Sequence, residues 1–159
     1  MSTANTPVVT KVWDSERQVI ISITGRYVSA QTAANTLVLQ SNSVVGANNS
    51  LSCVVDVIAA KFAVATANAW LQLEYNTPGG NTAIMVLGKR QAGEIAAPMY
   101  NPLGSNATAL ATNVPGDINL YTGAMDANDS FTIILNCRKN DSLNYAFANV
   151  DAPYLAHHG

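Results

Sequence analysis

Every second residue from Phe131 to Cys137 is apolar: Phe131, Ile133, Leu135 and Cys137. Gln18 to Val28 repeats the pattern with Val19, Ile21 and Ile23 against Ser22 and Thr24. Trp70 to Tyr75 sets Leu71, Leu73 and Tyr75 against Trp70, Gln72 and Glu74. A period of two sorts side chains onto the two faces of an extended strand. Helices need apolar positions three and four apart, and no segment sustains that spacing over three turns. The chain is therefore constrained to build its core from strands that are apolar on one face only.

Turn chemistry punctuates these strands. Asn76 to Asn81, NTPGGN, combines a proline that fixes φ with glycines that allow positive φ, so Trp70–Tyr75 and Thr82–Leu87 read as a hairpin. Val8–Trp13 reads as the first strand, Ser15–Arg17 as a turn and Gln18–Val28 as the second strand. Ala30–Gln40 fits either an opening helical turn or a short strand over Thr36–Gln40. Leu51–Ala67 mixes alanines with the alternation Leu51, Cys53, Val55, Val57. It is read as a strand in its first half, with Phe62–Ala65 as a continuation or a short helix. Lys89–Pro115 is expected to be a long irregular connection. Asp117–Tyr121 and Ser130–Arg138, joined by Thr122–Asp129, read as a second hairpin. About seven or eight short strands at this spacing predict an all-β chain, an antiparallel β-sandwich or jelly-roll-like domain over residues 8–140. Residues 1–7 and 141–159 read as N- and C-terminal arms.

Apolar residues make up 48% of the 159 and charged residues 11%, with a net charge of −2. Globular domains usually carry about 25% charge, so solubility here falls to Asn, Thr and Ser. There is no basic field for a phosphate backbone, and nucleic acid is not an expected partner. A weakly charged surface also has little protection against association, which predicts a homo-oligomer, a dimer or trimer. No secretory signal or membrane span is read; Leu51–Ala67 is broken by Asp56 and Lys61. Cys53 and Cys137 read as reduced, core-facing thiols, with a disulfide between them left open.

The chemical inventory is thin. The two histidines, His157 and His158, are adjacent near the end of the sequence and read as terminus. Asp126-Ala127-Asn128-Asp129-Ser130 invites a calcium reading. However, an EF-hand-type loop would need Gly and Glu where Phe131 and Cys137 stand, so it reads as a turn whose side chains bond nearby backbone. Lys89-Arg90 follows Leu87-Gly88 without a phosphate-loop signature and reads as a solvated turn or a contact. Glu16, Glu74 and Glu94 are far apart in sequence, and no GxSxG motif occurs. The aromatics Trp13, Trp70, Tyr27, Tyr75 and Phe131 read as core packing rather than as a ligand platform. No enzymatic activity, cofactor or metal site is expected.

The order of Ala69 to Tyr75, Thr82 to Gly88, Asn101-Pro102, Gly116-Asp117-Ile118, Asp129 to Leu135 and Arg138-Lys139 resembles small virion structural proteins of tailed bacteriophages, especially of marine and cyanobacterial hosts. The resemblance spans Ala69 to Asn140, under half the chain. It implies a β-rich particle subunit located in the virion and assembled in the host cytoplasm. The expected role is a capsid cement or decoration protein bridging major capsid subunits or other virion proteins. A tail, neck or fibre subunit and a glycan-binding sandwich are the alternatives. Expected contact segments are Lys89–Pro115, through Lys89, Arg90, Tyr100 and Leu103, and Asp141–Gly159, through Leu143, Tyr145, Phe147 and Tyr154.

Overall fold

The computed structural model describes residues 6–40, 55–77, 80–100 and 117–139. The strands are β1 (Val8–Asp14), β2 (Gln18–Arg26), β3 (Ala34–Leu39), β4 (Val55–Ala65), β5 (Leu71–Thr77), β6 (Gly80–Leu87), β7 (Gln91–Ile95), β8 (Ile118–Thr122) and β9 (Ser130–Lys139). They form a five-stranded sheet, β1-β2-β9-β4-β7, and a four-stranded sheet, β3-β8-β5-β6. Every ladder is antiparallel. Apart from β1, the pairing is nested: β2 with β9, β3 with β8, β4 with β7 and β5 with β6. That nesting, wrapped into two sheets, is a jelly roll, to which β1 adds an edge strand. No helix of the described residues is long and apolar enough to cross a membrane.

The alternating residues do what their spacing demands. Val19, Ile21, Ile23, Ile133, Leu135 and Cys137 line the inner face of one sheet, and Leu71, Leu73, Tyr75, Ile118 and Leu120 that of the other, all of them buried. The ambiguous segments settle as extended chain, Ala34–Leu39 in β3 and Val55–Ala65 in β4, including the stretch left open as a helix. Pairing on both edges of β4, with β9 and β7, outweighs the helix preference of its alanines. Leu51–Cys53 lies outside the described residues.

Two expectations are corrected. Asp117–Tyr121 and Ser130–Arg138 are not a hairpin. β8 belongs to the four-stranded sheet and β9 to the five-stranded one, and the chain between them crosses the sandwich. Both strands are apolar on one side because each faces the same core from an opposite sheet. The irregular reading of Lys89–Pro115 also fails at Gln91–Ile95, which is β7, paired to β4 from Ala60↔Ile95 to Val64↔Gln91. Gly93 sits opposite Phe62, where an added Cβ would already touch the ring at 3.5 Å. Residues 101–115 lie outside the described residues.

Polar groups tie the sandwich at specific points. The Tyr75 hydroxyl accepts from the Val57 N–H at 2.8 Å and donates to the Met99 carbonyl. Met99 N–H in turn donates to the Val57 carbonyl at 2.7 Å. The ladder of β4 with β9 shifts register between Val57 and Ala59, so the tie lies beside an irregularity in the sheet. At the end of the five-stranded sheet that holds the β1–β2 turn, the buried Lys139 ammonium meets Asp14 at 2.6 Å and donates to the Ser15 carbonyl. A buried ammonium without such partners would carry a large desolvation cost.

Replacing Tyr75 by Phe leaves the Val57 N–H and the Met99 carbonyl without this partner. It is expected to lower stability by about 1–3 kcal/mol in urea denaturation, with the β-sheet circular dichroism retained. Gly25 lies under the Phe131 ring, and a Cβ there would stand 2.3 Å from it. Gly25→Ala is expected to cost about 1–3 kcal/mol by the same measurement, and Gly25→Ala with Phe131→Leu less than the sum of the two single changes.

Candidate functional site

The two sheets turn opposite outer faces to the surroundings, and these differ in chemistry. On the five-stranded sheet, register aligns Val8, Thr24, Thr132, Ala63 and Ala92 in one row, and Thr10, Ser22, Ile134, Lys61 and Glu94 in the next. A third row carries Trp13, Ile20, Asn136 and Ala59. The central strands β2 and β9 thus present short, neutral side chains between Ile20 and Thr24 and between Thr132 and Asn136. Lys61 and Glu94 pair at 4.0 Å toward the β7 side. Ile134 is 41% exposed, and with Thr132, Ala63, Gly93, Lys61 and Glu94 it lines a shallow groove of about 500 Å³.

The outer face of the four-stranded sheet is different. One row reads Asn35, Tyr121, Gln72, Val86 across β3, β8, β5 and β6, and the next has Leu37, Asn119 and Glu74. Trp70 precedes β5 and is 44% exposed, its ring 5.0 Å from that of Tyr121 with the planes 38° apart. The Glu74 carboxylate accepts from Gln72 Nε2 at 3.0 Å and from Asn81 Nδ2 at 2.7 Å. Trp13 is also exposed, so the core assignment fails for both tryptophans, whereas Tyr27, Tyr75 and Phe131 are buried. The signal for Trp70 lay in the alternation itself, which puts it in phase with Gln72 and Glu74.

Among the proposed contacts, Lys89 and Arg90 are exposed in the β6–β7 turn, with Arg90 at φ 53°. The Gly88 N–H there donates to Gln91 Oε1 at 2.8 Å. Tyr100 is 66% exposed and follows Met99, at the far end of β7 from that turn. The structure therefore does not gather these three into one patch. Leu103, Leu143, Tyr145, Phe147 and Tyr154 lie outside the described residues, as do His157 and His158.

The acidic loop is a turn. Asp129 Oδ2 accepts from the Asp126 N–H at 2.8 Å, and Asp129 Oδ1 accepts from the Ala67 N–H at 2.9 Å. Asn128 adopts φ 74°, a left-handed conformation that Asn tolerates. No group of three or more His, Cys, Asp or Glu side chains that could hold a metal occurs among the described residues. Glu16, Glu74 and Glu94 stand on separate elements: the β1–β2 turn, β5 and β7.

No family model matches the chain, and no curated protein sequence does. Solved structures give distant likenesses. A cupin domain from Bordetella pertussis Tohama I shares 12% identity over 82% of this chain and 92% of its own, with a TM-score of 0.29. A double-stranded β-helix domain protein from Klebsiella pneumoniae shares 10% over 89% and 84%, at 0.32. A Bacillus endospore appendage subunit, from disulfide-linked pili, shares 12% over 88% and 94%, at 0.35. The fold assignment rests on the strand order itself.

Burial, reinforced by the Asp56 carboxylate, pushes the Cys137 thiol up to about 12 from its ordinary 9.0. The neutral thiol is therefore the form that the fold holds. The stability this gives is full below 9.0 and is lost as pH rises toward about 12. In a Cys53→Ser background, native protein at neutral pH is expected to leave Cys137 unreactive toward dithionitrobenzoate and to expose it on denaturation. Cys137→Ala is expected to flatten the fall of the urea midpoint on the alkaline side, by at most about 1.4 kcal/mol per pH unit.

Proposed function

We propose that the chain is a non-enzymatic structural subunit of a phage particle, a capsid cement or decoration protein that bridges major capsid subunits. The observation that carries this reading is the outer face of the five-stranded sheet. Its central rows of Thr, Ser, Ala and Ile, bordered by Arg26, Arg138, the Lys61–Glu94 pair and Trp13 on the edge strand, leave a middle that carries no charge on β2 and β9 between Ile20 and Thr24 and between Thr132 and Asn136 and is cheap to desolvate. Flat sheet faces pack at about 10 Å against another apolar or neutral layer, and short side chains allow that approach. The sandwich interior is filled by its own side chains, such as Tyr75, Ile133 and Leu120, so recognition falls to the outside. Many copies, each making a modest contact of this kind, hold a shell together by avidity. Self-association into a dimer or trimer uses the same physics. The resemblance of Ala69–Asn140 to virion proteins supports the same placement.

Electron cryomicroscopy of the native particle is expected to place this chain on the head with β2 and β9 against a capsid subunit. Density on the tail or neck would reassign it there. Ile134→Arg puts a charge in the middle of that face and is expected to lower occupancy on purified particles about tenfold or more, by quantitative gel or mass spectrometry. Unchanged occupancy for Ile134→Arg and Thr132→Arg, with both variants folded, overturns the assignment of this face.

A further inference from the structure

The outer face of the four-stranded sheet has no part in that reading, and it is built differently. It pairs two aromatic rings with a block of hydrogen-bonding groups. The Trp70 indole lies between Tyr121 and the backbone at Gly123, where an added Cβ would stand 3.3 Å from the Trp70 carbonyl and 3.7 Å from the indole nitrogen. The indole is thus held in place while 44% of the residue remains exposed. Next to the rings, register sets Tyr121 beside Gln72 and Asn119 beside Glu74. Adjacent strands lie about 4.8 Å apart and same-face residues about 6.8 Å apart, so these four span roughly one sugar ring. Gln72 and Asn81 fix the Glu74 carboxylate, and the side-chain amides of Asn35 and Asn119 make no hydrogen bond among the described residues.

Charge decides among ligand classes. The outer positions of this face, Asn35, Leu37, Asn119, Tyr121, Trp70, Gln72, Glu74 and Val86, include one carboxylate and no lysine or arginine. Phosphate, sulfate and uronate groups would find no counter-charge there and would meet the repulsion of Glu74. A neutral saccharide fits both halves of the surface. Its C–H faces stack on exposed rings, and its hydroxyls both donate to the amide oxygens and accept from the amide nitrogens. The geometry points to this face as a binding site for a neutral oligosaccharide, with Trp70 and Tyr121 as the stacking platform and Gln72 and Asn119 as the hydroxyl-binding groups, Gln72 being held in place by the buried Glu74 carboxylate.

Affinity electrophoresis of the full chain through gels containing dextran, laminarin, galactomannan or xyloglucan tests the site, with alginate as the charged counterpart. At least one neutral polysaccharide is expected to retard the protein. Trp70→Ala and Asn119→Ala, each with a wild-type circular dichroism spectrum, are expected to weaken retardation about tenfold. Ile134→Arg, on the opposite sheet, is expected to leave it unchanged. Retardation by none of the neutral matrices, by alginate alone, or equally in Trp70→Ala overturns the proposal. A concentration-dependent mass in light scattering that Trp70→Ala abolishes, without retardation, overturns it in favour of a second copy of the chain. None of these outcomes touches the particle reading, whose test lies on β2 and β9.

Discussion

The Tyr75 hydroxyl joins the two halves of this molecule by something other than apolar contact. Its ring belongs to the inner face of the four-stranded sheet, and its oxygen reaches the backbone of β4 in the other sheet at Val57. Apolar packing is non-directional and would tolerate some sliding of one sheet over the other. A hydrogen bond to a particular N–H does not. The same oxygen donates to Met99, which closes onto Val57 and continues the cover of the β4 edge beyond β7. Edge strands left open invite pairing with other chains, so this tie also governs where the molecule can be joined. Burial raises the Tyr75 hydroxyl well above its ordinary ionisation range, with the Val57 bond opposing and Asp56 and Cys137 adding to the shift. The group therefore remains a donor throughout the neutral range.

How much of this was legible in the sequence follows from what alternation encodes. A period of two reports which face of a strand is buried, and it did so correctly for Val19 to Ile23, Leu71 to Tyr75 and Phe131 to Cys137. It carries no information about which strand lies alongside. Asp117–Tyr121 and Ser130–Arg138 look like hairpin partners because both are apolar on alternate positions and only a short polar stretch divides them. In the fold, Ile118 pairs with Tyr75 and Leu39, and Ile133 with Ile23 and Phe62. The β5–β6 hairpin was legible because NTPGGN specifies a reversal by backbone chemistry, while TGAMDAND specifies a turn without saying that the chain returns along itself. Gln91–Ile95 escaped for a related reason. A short edge strand with a central glycine has weak intrinsic preference and owes its extension to β4.

The surface was harder to read than the core. Large aromatics are usually buried, and that expectation held for Tyr27, Tyr75 and Phe131 but hid Trp13 and Trp70. For Trp70, phase was the better guide than residue type, since two positions on from it Gln72 faces outward. Trp13 follows a register shift between Lys11 and Trp13, and no local pattern announces a bulge. Lys89 and Arg90 are exposed as a turn should be, but their distance along β7 from Tyr100 could not be anticipated while β7 itself was unrecognised.

The two contacts proposed for this chain fall on opposite outer faces, and low charge would serve them differently. A face intended for close protein contact gains from short neutral side chains, because every charge in the contact would need a partner or lose its hydration without compensation. A face that holds a saccharide gains from amides, which match hydroxyls, and from rings too large to pack flat against a neighbouring sheet. Trp70 projecting beside Tyr121 would hold a flat partner away from Gln72 and Asn119; on the other sheet the exposed Trp13 stands on the edge strand β1, two strands away from Ile134 on β9. Since the two sheets meet through one core and the Tyr75 tie, both on their inner faces, a change on either outer face can alter one contact while the packing of Leu71, Leu120, Ile133 and Leu135 between them stays as it is.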